Sequence, residues 1–157
     1  MGGAETWLLG QLNYLEHHPE LSVQVYFILT GKSRGVLHSE FAQLAADIYE
    51  IQIGVSKNWR NVTGLRKVFR DLDFDAVHFH SDFLSGSTQF MLLGLLPPVV
   101  VTHFHNPKYQ QSHLYGVSRR KRLTLFFAKL SCALFSTHFL GTSADILQKY
   151  EVNAWTY

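Results

Sequence analysis

The chain has one cysteine in 157 residues, Cys132, so no disulfide forms within it and a disulfide-held secreted scaffold is excluded. Cys132 lies in an apolar helical run and reads as a small core residue of a reducing compartment rather than as a catalytic thiol. Charge is also sparse: 17% of residues are charged and the formal net charge is +2, too little to imply a nucleic-acid partner. Only Arg119 to Arg122 breaks the even mixture of signs. Long hydrophobic runs are missing. Phe90 to Val101 and Leu123 to Phe135 fall short of the ~20 residues a membrane span requires, and Pro97-Pro98 and Lys129 interrupt them. Gly2 and Gly3 are followed by Glu5 rather than by a basic and then apolar segment, so no secretory signal is read there. There is no low-complexity linker and no internal repeat beyond two histidine-ended segments. What remains is the composition of one globular domain, 46% hydrophobic, long enough to bury a core.

Along the chain the periodicity alternates between helix and strand. Helical spacing covers Ala4 to His17, Ser39 to Ala46, Asn61 to Leu72, Leu84 to Leu96 and Ser118 to Ala133, with a last helix from Ser143 to Tyr150 capped by Ser143. Strand-like runs cover Leu21 to Leu29, Ile48 to Ile53, Asp75 to His80, Val99 to His103 and Leu134 to Leu140. Thr30 to Gly35 and Asn106 to Gly116 read as polar loops. Trp7, Phe126 and Phe127 sit at helical spacing among aliphatic residues and are expected in the core. The alternation predicts an α/β class, a Rossmann-like doubly wound parallel sheet with helices on both faces. One feature departs from that plan. The chain opens on a helix where such folds have a central first strand, so the strand from Leu21 and the strand ending at His80 are expected to lack a shared neighbour. We therefore expect residues 1–157 to be a single Rossmann-like domain truncated at both ends, with Met1 an internal methionine.

Two segments, DAVHFHSD (Asp75 to Asp82) and VVVTHFHNP (Val99 to Pro107), each end an apolar strand in a His-x-His pair. Strand side chains alternate faces, so His78 and His80 share a face, as do His103 and His105. Three readings are open: partly buried edge residues satisfied by backbone, imidazole ligands of zinc, or polar contacts to a sugar or phosphate at the carboxyl edge of the sheet. Scarce carboxylates, with only Asp82 nearby, count against metal. Gly2 and Gly3 at a helix start could admit a phosphate to the backbone, where free amides carry partial positive charge, or could be a turn.

Four segments in order, GGAETWLLGQL, DAVHFHSDFLSG, VVVTHFHNP and FLGTSADILQKY, resemble the amino-terminal domain of retaining glycosyltransferases of family 4, and between them they span nearly the whole chain. The resemblance implies one half of a GT-B fold, two Rossmann-like domains facing each other across a cleft. It implies that Gly2 and Gly3 approach the donor diphosphate or the acceptor, that His105 is the catalytic-centre histidine reaching the transferred sugar, and that His80 lies on the acceptor side. Ser81, Asn106 and Lys108 would line the pocket; His78 and His103 would be packing or supporting groups. The partners implied are a nucleotide-sugar donor and a carbohydrate or lipid-linked acceptor, with no cofactor and no metal. A carboxy-terminal domain with a glutamate pair would hold most of the donor, and no such motif occurs in these 157 residues, so the chain alone is expected to be inactive while its full-length parent is a hexosyltransferase. A cytoplasmic location is expected. Arg119, Arg120, Lys121 and Arg122 read either as a solvated helix start or as a peripheral contact with anionic lipid at the inner face of a membrane. The rival readings are a metal-dependent hydrolase built on the two histidine pairs and a non-catalytic module that binds a sugar phosphate or a partner.

Overall fold

The computed structural model describes residues 3–30, 37–45, 47–52, 59–105 and 119–149. The chain divides into two compact units, Met1–Gly64 and Leu65–Tyr157. In the first, α1 (Gly3–Glu16) carries Glu5 in its first turn, where a carboxylate complements the exposed amides, and buries Leu12. It packs on α2 (His38–Leu44). The inward stripe is Leu8, Leu12 and Leu15, so Trp7 falls outside it and is 43% exposed, not the core residue its spacing suggested. Pro19 opens a 3-10 turn over Pro19–Leu21, and Ser22 follows in a left-handed conformation with φ 51°. That turn delays the strand, and β1 is Tyr26–Leu29 rather than the expected Leu21 to Leu29. β2 (Asp47–Glu50) pairs parallel with it, from Tyr26 beside Asp47 to Leu29 beside Glu50. Phe27 meets Phe41 of α2 with ring centroids 4.8 Å apart.

α3 (Trp59–Leu72) leads into the second unit, where Leu65 and Phe69, one turn apart, are buried. Three parallel strands follow in the order β3-β4-β5: β3 is Ala76–Phe79, β4 Val99–Phe104 and β5 His138–Gly141. A 3-10 turn, Asp82–Leu84, precedes α4 (Ser85–Met91). α4 is shorter than the expected helix to Leu96, because Gly94 takes a left-handed φ of 79° and the Arg66 guanidinium donates to the carbonyls of Met91 at 2.8 Å and Leu93 at 3.2 Å. α5 (Arg119–Phe135) runs two residues past the expected end, and Ser136 N–H still donates to Cys132 O at 3.0 Å. The strand expected from Leu134 therefore starts only at His138. α6 (Ala144–Lys149) is capped as expected, the Ser143 hydroxyl accepting from Ile146 N–H at 3.3 Å.

The α/β class with parallel strands is as the alternation predicted. The strands form two sheets rather than one, because no described strand hydrogen-bonds to both β1 and β3. These are the two strands the sequence order left without a shared neighbour.

β4 is the centre of the second unit. Its residues Val100, Thr102 and Phe104 are buried, and Phe104 joins Phe83, Cys132 and Ile146 in a core against α5 and α6. Cys132 is fully buried, its thiol donates to Phe83 O at 3.8 Å, and burial pushes its pKa up to about 12, so it is a core thiol as expected. Beside it Gln89 of α4 donates to Thr102 Oγ1 at 2.8 Å and to Ser136 Oγ at 3.0 Å, and the two hydroxyls are 2.8 Å apart. α4 and α5 touch because Gly86 has no side chain: a Cβ there would lie 1.8 Å from Ala128 O. The close contact selects small residues, and Ala128, Ser131 and Cys132 form the buried face of α5. Phe126 and Phe127 project elsewhere, 59% and 55% exposed, which overturns their expected place in the core.

Candidate functional site

The register Phe79 beside Thr102 puts the next residues, His80 and His103, side by side where β3 and β4 end. Alternation then places His78 and His105 on the same face, opposite to Thr102 and Phe104. Four imidazoles pack into one cluster. Ring centroids lie 4.1 Å apart for His78 and His80, 4.2 Å for His103 and His105, and 5.1–5.2 Å for the pairs across the strands. His80 Nδ1 and His105 Nε2 are 2.9 Å apart; one ring carries the shared proton and the other accepts it. His78 and His103, expected as packing or supporting groups, are members of the cluster, and His103 is 7% exposed.

The cluster is built for neutral rings. Burial, and then repulsion from His103 and His105, lowers the His78 pKa to about 4. Burial and the other three rings lower that of His80 to about 3. His103 and His105 are lowered by burial too, against an upward pull from Asp82. At neutral pH each ring therefore has one donor and one acceptor nitrogen; the His80–His105 bond uses one of each, leaving an acceptor on the donating ring and a donor on the accepting ring, a combination that suits hydroxyl groups, which do both.

Asp82 holds the site. Buried at 8% exposure and in a left-handed conformation with φ 48°, it accepts a 2.7 Å hydrogen bond at Oδ1 from the His105 backbone N–H. This fastens the turn after β3 to the end of β4. The sequence offered one signal for it, an Asp two residues after the expected strand end at His80, since Asp tolerates left-handed backbone better than most residues. Ser81 is exposed at the same turn; its N–H donates to the buried Ser85 hydroxyl at 3.3 Å, and its carbonyl accepts from Leu84 N–H at 3.0 Å. Gly3 is exposed at the start of α1, in the other unit. Gly2, Asn106 and Lys108 lie outside the described residues.

A ligating nitrogen from each of His78, His80 and His103 lies within 4.8 Å of the others. Zinc–imidazole bonds of about 2.0–2.1 Å set tetrahedral ligand atoms roughly 3.4 Å apart, so the three rings would have to draw inward to hold the ion. The described residues bring one carboxylate, Asp82, to the cluster, and its Oδ1 is engaged with backbone.

With the geometry in place, the comparison with known families decides the assignment: the model for Glycosyltransferase Family 4 matches residues 1–151. The chain belongs to glycosyltransferase family 4. No curated protein and no solved structure gives a significant match. The match takes in both histidine-ended strands, and the parallel α/β architecture is that of a Rossmann-like glycosyltransferase domain. Membership indicates a glycosyltransferase module, with nucleotide-sugar donor and acceptor as the substrate classes the family suggests. Among the described residues no helix is long and apolar enough to cross a membrane.

Proposed function

We propose that this chain is the acceptor-side module of a retaining family 4 glycosyltransferase, and that the imidazole cluster is its sugar-binding edge. The observation that carries the reading is the 2.9 Å contact between His80 and His105 in a family 4 chain, with Asp82 fixing the His105 backbone. Rings held neutral can exchange hydrogen bonds with sugar hydroxyls without introducing a charge that would have to be desolvated with the substrate. In this reading His105 reaches the transferred hexose near the reaction centre, His80 faces the acceptor, and Ser81 lines the pocket. No cofactor takes part. The leaving diphosphate needs positive charge or donors as its own charge develops, and these come from a carboxy-terminal donor-binding domain. The 157-residue polypeptide by itself therefore binds sugar without turnover. The parent works at the cytoplasmic face of a membrane if its acceptor is lipid-linked, a reading supported by the basic run Arg119 to Arg122.

Histidine-side-chain NMR tests this. Titrating the chain with a panel of nucleotide-sugars and candidate acceptor sugars should shift the His80 and His105 ring signals, and His105→Ala should weaken that binding about tenfold or more. Ring signals that no member of the panel perturbs, or measurable glycosyl transfer by the chain alone, would overturn the reading. A metal-dependent hydrolase has one observation in its favour, the three ring nitrogens within 4.8 Å. Stoichiometric zinc in the purified chain by elemental analysis would favour that second reading.

A further inference from the structure

We propose that the outward face of α5 docks on an anionic lipid surface. The helix has two apolar faces. Ala128, Ser131 and Cys132 are buried against α4, while Leu123, Phe126, Phe127, Leu130 and Leu134 remain 58%, 59%, 55%, 43% and 66% exposed. Their spacing of three, four, seven and eleven residues from Leu123 makes them a single stripe. Among the described residues, the close contact with α4 is made by the small side chains and does not use these large ones.

The charge pattern selects the occupant. Arg119 and Arg122 are exposed and continue the stripe at its amino end, being four and one residues before Leu123. Arg120 and Lys121 lie between them in the sequence, and the helix from Arg119 to Phe135 contains no Asp or Glu. Cations at a helix amino terminus oppose the helix dipole, so the cluster does not serve the helix itself. A second copy of the chain would offer the cations no acidic residue on this helix. An anionic bilayer offers both halves of what the face needs: phosphates for the arginines and, just below them, an acyl boundary for Phe126, Phe127 and their aliphatic neighbours. At 17 residues α5 lies along the interface and does not cross it. The contact deepens the membrane placement proposed above, but it requires no catalytic step and is measured without sugar, so its failure is distinguishable from failure of the sugar-binding reading.

The test is flotation of the 157-residue chain with vesicles of phosphatidylcholine, alone or mixed with phosphatidylglycerol. The chain should float with the anionic vesicles, release as salt is raised, and bind at least about tenfold more weakly in both R119E/R122E and F126S/F127S. All four side chains substituted in these pairs are exposed, so circular dichroism should show both variants folded. The single variant Phe126→Trp gives an independent reading: its emission should move to shorter wavelength with anionic vesicles and stay put with neutral ones. Equal binding to both vesicle types, no binding, or binding that either double variant retains in full would overturn the proposal. So would a blue shift without vesicles that grows with protein concentration, which would make the face a contact between copies.

Discussion

Asp82 combines a left-handed backbone with a buried carboxylate, and the two demands separate on substitution. Asp82→Asn keeps an acceptor for the His105 N–H and a residue type that tolerates this φ, so urea unfolding should show a loss under about 1 kcal/mol. Asp82→Ala loses both and should cost about 2–3 kcal/mol. The asparagine also removes the negative charge that raises His103 and His105, so both should titrate at still lower pH in an NMR titration of the variant. Strand alternation made the shared face of each His-x-His pair legible. It could not show that the two pairs merge into one cluster, because ring contacts across strands depend on a register set by the residues beneath, Thr102 on Gln89 and Ser136 among them. For the same reason His78 and His103 looked like supporting groups.

At the scale of elements, the contact between α4 and α5 turns on one missing side chain. Gly86→Ala would place its Cβ 1.8 Å from Ala128 O and 3.0 Å from Cys132 Sγ, so the helices must separate. Overpacking of this kind costs typically about 1–3 kcal/mol, and contact with backbone puts this site at the upper end; a lower urea midpoint at unchanged slope is the expected result. The helical spacing of Leu84 to Leu96 alone does not mark Gly86 as the point of contact. Existence and type of each element were legible because hydrophobic period and length agree for α1, α3 and α5 and for the strands. Boundaries were less so where local turn chemistry decides them, as Ser22 does before β1 and Gly94 after α4. The places of Phe126 and Phe127 were illegible because α5 carries apolar residues on two faces, and only its neighbour determines which side is buried.

The whole molecule inherits the titration of its histidines. An unfolded chain protonates an imidazole near pH 6.5, whereas folded His78 and His80 do so only at about 4 and 3. Between these values the unfolded state binds more protons, so falling pH favours unfolding, while above about pH 7 both states are neutral and the dependence vanishes. Allowing for the solvent that reaches these half-buried rings, roughly 1–2 kcal/mol should be lost between pH 7 and pH 4. Thermal unfolding across that range, with a His78→Gln/His80→Gln variant showing a flatter slope, checks it. The alternation in β4 also bears on how this chain can change over generations. Val100, Thr102 and Phe104 face helices while His103 and His105 face the site, so gaining or losing one codon inside the strand would exchange the two sets. Lineages of this domain can lengthen or shorten its loops, but β4 must be handed down with its parity intact.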